Sequence, residues 1–248
     1  MTTAVYFSAT DTTKRISEAV ASHVSEGFTS INLTRKNCVL SFDQEDTVIV
    51  GVPVYAGRVP TIAAERLAYI SGNGSKCVAL VVYGNRDYDD ALLELCDILS
   101  ARGFNIVSAG AFIAEHCIFP KVGNGRPDRE DMAEIQKFAQ LSSAKSTNLE
   151  LSKIKGNRPY KKPTRIPLHP SLDKRLCNSC GACAAECPTG AIDTDNPSNT
   201  DKDKCITCCR CIHICPHNAR KLSGLLYKLA GNKFIKANLS RRSPEWFI

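Results

Sequence analysis

The chain has 248 residues, 43% of them apolar and 23% charged, an ordinary globular composition with room for one large domain or two modest ones. The opening MTTAVYFSAT lacks the basic start and apolar core of a signal peptide, and no apolar run approaches the roughly 18–20 residues of a membrane span. A cytoplasmic, reducing location with no membrane contact is therefore expected. The net charge of +7 is uneven: residues 1–150 hold 14 Lys+Arg against 18 Asp+Glu, and residues 151–248 hold 18 against 7.

Residues 3–9, TAVYFSA, read as a buried strand that runs into a hydroxyl-rich turn, Ser8-Ala9-Thr10-Asp11-Thr12-Thr13. Ile16, Ala19, Val20 and Val24 then fall on one helical face. Strand, hydroxyl turn and helix make a phosphate-binding geometry, because turn N–H groups and the positive helix end face an anion. The same residues also serve as plain helix caps, and the turn alone does not separate the two readings. Further strands are expected at about 28–34, 46–54, 76–84 and 104–114, with helices at about 60–70, 88–102 and 128–146. Val/Ile-rich strands alternating with helices predict an α/β domain with a five-stranded, doubly wound parallel sheet.

In that architecture ligands sit beyond the carboxyl ends of the strands. Three loops leave those ends: Ser8–Thr13, Pro53-Val54-Tyr55-Ala56-Gly57-Arg58-Val59-Pro60, and Tyr83-Gly84-Asn85-Arg86-Asp87-Tyr88. The second and third each combine Gly, Tyr and Arg. Singly each is as good an ordinary turn; on one rim they describe a pocket with a phosphate end and a planar-ring end.

Residues 151–170, LSKIKGNRPYKKPTRIPLHP, hold seven basic residues counting His169, four prolines and no acid. They read as an extended tether, the linker being taken as 149–170 between a domain at 1–148 and another at 171–222. A nucleic-acid tail is the rival reading, and a single Tyr gives it little aromatic support. Residues 223–248 form a last segment with an apolar-rich helix around Leu222, Leu225, Leu226 and Leu229, ending in Trp246-Phe247-Ile248. That end either packs across the two domains or forms a docking face.

The most specific signal is a repeat. CNSCGACAAECPTGAI at 177–192 returns as CITCCRCIHICPHNAR at 205–220, each reading C-x-x-C-x-x-C-x-x-x-C-P. Three thiolates at i, i+3 and i+6 can wrap one [4Fe-4S] cubane, and the fourth, before Pro, reaches the cluster of the other repeat. Two zinc knuckles would leave half of these cysteines unused. The expected ligand sets are Cys177, Cys180, Cys183 and Cys215 for one cluster, and Cys205, Cys208, Cys211 and Cys187 for the other. Cys209 aligns with Gly181 and is expected to pack rather than ligate; Cys38, Cys77, Cys96 and Cys117 share no spacing and read as core thiols. Two clusters with their thiolates are anionic, which offsets part of the basic charge and weakens the case for nucleic acid.

FSATDTTK, PVYAGRVP and VYGNRDY resemble the phosphate loop and two ring-flanking loops of FMN-binding flavodoxins. With the repeats behind them, the chain resembles the flavodoxin–ferredoxin fusion family, found chiefly in anaerobic bacteria and archaea. The resemblance implies FMN held by Ser8, Thr10, Asp11, Thr12, Thr13, Pro53, Val54, Tyr55, Ala56, Gly57, Tyr83, Gly84, Asn85, Arg86 and Tyr88. One position departs from the pattern: Asp11 stands where such loops usually have Gly, which puts a carboxylate near a phosphate.

Clusters pass one electron at a time and a flavin takes one or two. The chain therefore reads as an electron carrier working between redox partner proteins. The alternative is a flavin-dependent oxidoreductase fed through the clusters, with Arg58, Tyr55, Arg86 or Tyr88 binding a small substrate. No nucleophile triad is visible. Gly123-Asn124-Gly125 is followed by Arg126-Pro127 rather than by the rest of a dinucleotide fingerprint.

Overall fold

A computed structural model describes all 248 residues. Five strands, β1 (Thr2–Tyr6), β2 (Thr29–Asn32), β3 (Thr47–Pro53), β4 (Lys76–Tyr83) and β5 (Asn105–Ile113), form a parallel sheet in the order 2-1-3-4-5. That order defines the flavodoxin-like doubly wound fold. Strand alternation sets the two faces. Val5, Val50, Ala79 and Val81 point to one side, against Ala63 and Leu67 of α2 (Thr61–Leu67) and Leu92, Leu95 and Leu99 of α3 (Ala91–Ala101). Ala4, Ile49, Val78 and Leu80 point to the other, against Ile16 and Val20 of α1 (Thr12–Val24) and Ile135 and Phe138 of α4 (Arg129–Ser143). Every one of these side chains is essentially inaccessible, so both faces are covered as a parallel sheet requires.

The sheet has a sixth strand beyond the five expected. The chain's last segment returns as β6 (Glu245–Phe247), antiparallel to β5, with Trp246 opposite Gly110. The Trp246 ring meets Phe138 edge-on at 5.9 Å. An exposed β5 would offer a row of free N–H and C=O groups, and β6 covers them.

Residues 149–170 do not behave as a solvated tether. Leu149 N–H donates to the Ile106 carbonyl at 2.7 Å, Ile154 is buried against the α3 side of the core, and Tyr160 packs there too. Asp90, buried at the start of α3, accepts from the Asn157 and Lys161 backbone N–H groups at 2.9 and 2.7 Å. Arg158 pairs with Asp97. The sequence suggested a tether because its basic residues and prolines look solvated; acidic α3 supplies their partners, and Leu149, Leu151, Ile154 and Tyr160 supply the apolar contacts. The segment is a strap laid along the domain.

Beyond the strap, an antiparallel ladder pairs Ser171–Leu172 with Arg220–Lys221 and closes a small module. Each cysteine loop in it leads into one short helical turn, α5 (Ala182–Ala185) and α6 (Arg210–His213). The following helix, α7 (Leu225–Asn238), packs Tyr227, Phe234 and Ile235 against the Ile118–Val122 loop of the larger domain. Its leucines at 225, 226 and 229 face outward. No helix is long and apolar enough to cross a membrane.

Candidate functional site

The eight repeat cysteines line two cavities. One, of about 310 Å³, is bordered by Cys177, Cys180, Cys183 and Cys215. The other, of about 380 Å³, is bordered by Cys187, Cys205, Cys208 and Cys211, with Cys209 beside them. No three potential ligands converge on a point as the ligands of a single ion do; the thiols instead form walls around a volume. Backbone N–H groups donate to these sulfurs, Ala191 to Cys187 and Ala219 to Cys215, each at 3.3 Å. Such bonds favour the thiolate. Burial pushes the Cys211 thiol up to about 12, and a cationic iron–sulfur core, when bound, would favour its thiolate.

Both loops need a left-handed residue after their second cysteine. Gly181 (φ 74°) fills that place in the first repeat and Cys209 (φ 61°) in the second, a conformation that costs a non-glycine residue about 1 kcal/mol or more. The Cys209 thiol donates to the Thr207 carbonyl at 3.6 Å and packs with Ile118 and Phe119 of the larger domain.

At the carboxyl ends of β1, β3, β4 and β5 lies a cleft of about 440 Å³. Ala9, Thr10, Thr12, Thr13, Pro53, Val54, Tyr55, Tyr83 and Gly84 border it, and so do Ala114, Glu115, His116 and Cys117 from the loop after β5. That last loop was not anticipated, although the topology rule points to every carboxyl end, because it carries no Gly-Tyr-Arg signature. His116 stacks on Phe119 at 5.6 Å and sits over Gly84, where a Cβ would come within 2.5 Å of its ring. Its Nδ1 accepts from the Ile118 and Phe119 N–H groups, both at 3.2 Å, which leaves the proton on Nε2. Burial holds its pKa down to about 4.

The other expected cofactor contacts are placed elsewhere. Ser8 is buried, its Oγ accepting from Lys14 N–H at 3.0 Å and its own N–H donating to Thr34 Oγ1 at 2.7 Å. Ala56 faces a second groove with Tyr55 and Arg58, and Gly57 lies against the Asp89 carboxylate. Tyr88 does not edge the cleft: it is fully buried, and its hydroxyl donates to Glu245 of β6 at 2.6 Å. Asn85 is buried as well, its amide donating to the Asn238 and Ser240 carbonyls at 2.8 Å. Arg86 pairs with Asp89. Tyr88 and Asn85 take their polar partners from residues 238–245, distant in sequence, and Arg86 takes its own within the loop, which is why the loop alone suggested ligand contacts.

Asp11 is the N-cap of α1, left-handed at φ 59°, yet its side chain caps nothing. It accepts instead from Arg210 Nη1 at 3.3 Å and sits 3.1 Å from His213 Nε2, both on α6 of the cysteine module. The carboxylate expected to crowd a phosphate is thus turned onto the neighbouring module. Arg210 also reaches the Ala9 carbonyl and pairs with Glu186, while Arg66 donates to the carbonyl of Pro188 at 2.7 Å. Tyr55 closes the arrangement. It borders the cleft on one side and, on the other, the groove that holds Cys205, Ile206 and Thr207. Burial pushes its phenol well up, and Cys208, Cys117 and Cys209 are its charged-when-ionised neighbours.

Residues 169–216 match the family described as a 4Fe-4S dicluster domain. The chain is also 43% identical over 61 residues to the polyferredoxin protein MvhB of Methanothermobacter thermautotrophicus, and 42% identical over 52 residues to the pyruvate synthase subunit PorD of Methanocaldococcus jannaschii. These alignments take in 25% and 20% of this chain, and 15% and 60% of those proteins. Among solved structures, a flavodoxin from the domain Archaea covers 57% of this chain and 95% of its own at 13% identity, TM-score 0.41. A flavodoxin from Streptococcus pneumonia TIGR4 covers 58% and 97% at 17% identity, TM-score 0.42. By its sheet order and its dicluster match, the chain is a fusion of a flavodoxin-like domain with a 4Fe-4S dicluster ferredoxin domain. It houses two [4Fe-4S] clusters.

Proposed function

We propose that the protein is an electron-transfer iron–sulfur flavoprotein that moves electrons between redox partner proteins by way of two [4Fe-4S] clusters and FMN. When bound, each cluster supplies one-electron chemistry and the flavin one- or two-electron chemistry. The observation that carries the reading is Tyr55, which borders both the cleft and the groove leading to Cys205. Cys187, Cys205, Cys208 and Cys211 are read as ligands of the cluster proximal to the cleft. Cys177, Cys180, Cys183 and Cys215 hold the distal one, and Cys180 is exposed where a partner can approach.

The chain's own groups fit FMN. Thr10, Thr12 and Thr13 and the N-terminus of the 13-residue α1 make an anion seat at one end of the cleft. Asp11 leaves that seat clear by facing Arg210 and His213. At the other end, Tyr55, Tyr83 and Gly84 frame a flat ligand, and His116 offers a neutral Nε2–H donor fixed in tautomer.

A carrier fits better than a substrate-reducing enzyme because three of the four side chains that would bind a substrate are engaged within the chain, Tyr55 alone bordering the cleft. Arg58 forks onto Glu94 at 2.7 Å, Arg86 pairs with Asp89 and Tyr88 is buried under β6. Anaerobic purification with iron, sulfide and flavin analysis tests the reading. The expected yield is about eight Fe, eight acid-labile sulfides and one FMN per chain. Markedly fewer irons would end the two-cluster assignment. Failure to bind added FMN would end the cleft assignment, and multiple turnovers of a small substrate would favour the enzyme.

A further inference from the structure

The two cysteine repeats differ at their last position, Ile192 in the first and Arg220 in the second. Both are buried, Ile192 at 5% exposure and Arg220 at 2%. A guanidinium so enclosed is costly unless anions face it, and no carboxylate forms an ion pair with Arg220. Its Nη1 donates to Thr200 Oγ1 at 3.1 Å, and its Nη2 to Cys183 Sγ at 3.6 Å and to the Pro197 carbonyl. Its buried Nε has no partner within the chain.

The anions that would face it are indicated by its place. Arg220 borders the cavity of Cys177, Cys180, Cys183 and Cys215 and also that of Cys187, Cys205, Cys208 and Cys211. A [4Fe-4S] core with four thiolates is a dianion when oxidised and gains one more negative charge, with no proton, when reduced. A fixed cation in a low-dielectric site therefore favours the reduced form, and a hydrogen bond to a ligating sulfur does the same. Ile192, at the matching position, provides neither.

We propose that Arg220 is the potential-setting residue of the ferredoxin module: a buried cation shared by both clusters, raising both reduction potentials and the distal one more through its bond to Cys183. It would also ease the simultaneous reduction of both clusters, since one guanidinium lies between two growing negative charges. The proposal rests on the two-cluster reading above.

The test is a redox titration followed by electron paramagnetic resonance on anaerobically purified wild type, Arg220→Gln and Arg220→Lys, with iron and sulfide counted in each. In Arg220→Gln both midpoints should fall, unequally. The larger fall should reach at least tenfold in the one-electron equilibrium constant, or 59 mV. Arg220→Lys keeps the charge and loses the planar fork, so the smaller fall should vanish and part of the larger should remain. A fully loaded Arg220→Gln with both midpoints unmoved overturns the proposal. Should the Gln variant not assemble, Arg220→Lys decides alone, and midpoints equal to wild type overturn it. A wild type with far fewer than eight irons would instead defeat the two-cluster reading, a separate outcome.

Discussion

Asp11 occupies a left-handed position where Gly would be at ease, and its carboxylate serves the joint with Arg210 and His213. Asp11→Gly should relieve about 1 kcal/mol of backbone strain and remove a half-exposed pair of comparable or smaller worth. Stability should therefore change by less than about 1 kcal/mol. Removing a negative charge beside the anion seat should strengthen FMN binding, read by quenching of flavin fluorescence. Weaker binding in Asp11→Gly would argue against the phosphate end of the cleft. His116 gives a pH signature. The unfolded imidazole takes its proton at the ordinary 6.5, the buried one only near 4. Protons thus favour the unfolded chain between those values. The stability from His116 is whole above pH 6.5 and is lost as pH falls toward 4, by about 3 kcal/mol in all, of which roughly 1 kcal/mol is gone at pH 5.5. Urea unfolding at pH 7.5 and 5.5 should show that loss in wild type and not in His116→Asn.

The sheet elements were largely legible, because β-branched runs and one-sided helices leave periodic traces: β3 and β4 lie within a residue or two of expectation. The strap and β6 were not, because their roles depend on distant partners. The apolar contacts of residues 149–161 are interleaved with five basic or proline positions, and nothing local reveals that Asp90 and Asp97 await them. In the site, the cysteine spacing carried its own geometry, whereas the Gly-Tyr-Arg loops did not, since Tyr88 and Asn85 are claimed by residues 238–245. Asp90→Ala tests the strap directly. It leaves the Asn157 and Lys161 N–H groups without their acceptor, at roughly 1–3 kcal/mol each where burial persists. Limited trypsin treatment of the clustered variant should then cut after Lys153 and Lys155 well before wild type is cut. Equal cleavage rates would mean that the strap is held by its apolar contacts alone.

At the scale of the molecule, the acidic first part and basic second part meet where Asp11, Glu186, Arg210 and Arg35 interlock. The strap's bond to α3 and the tail's strand on β5 hold the ferredoxin module from opposite ends. Topologically this makes the module a closed loop anchored twice on one sheet, quite unlike a bead on a string. A domain hung from one linker meets its neighbour by diffusion, at an effective concentration set by linker length. A domain pinned at both ends has no such search, so exchange between its thiolate cavities and the cleft should be insensitive to solvent viscosity. Clipping the last few residues would leave every ligand in place and remove one of the two anchors, so that the path would rest on the strap and on the contacts of Arg210 and Arg66 across the joint.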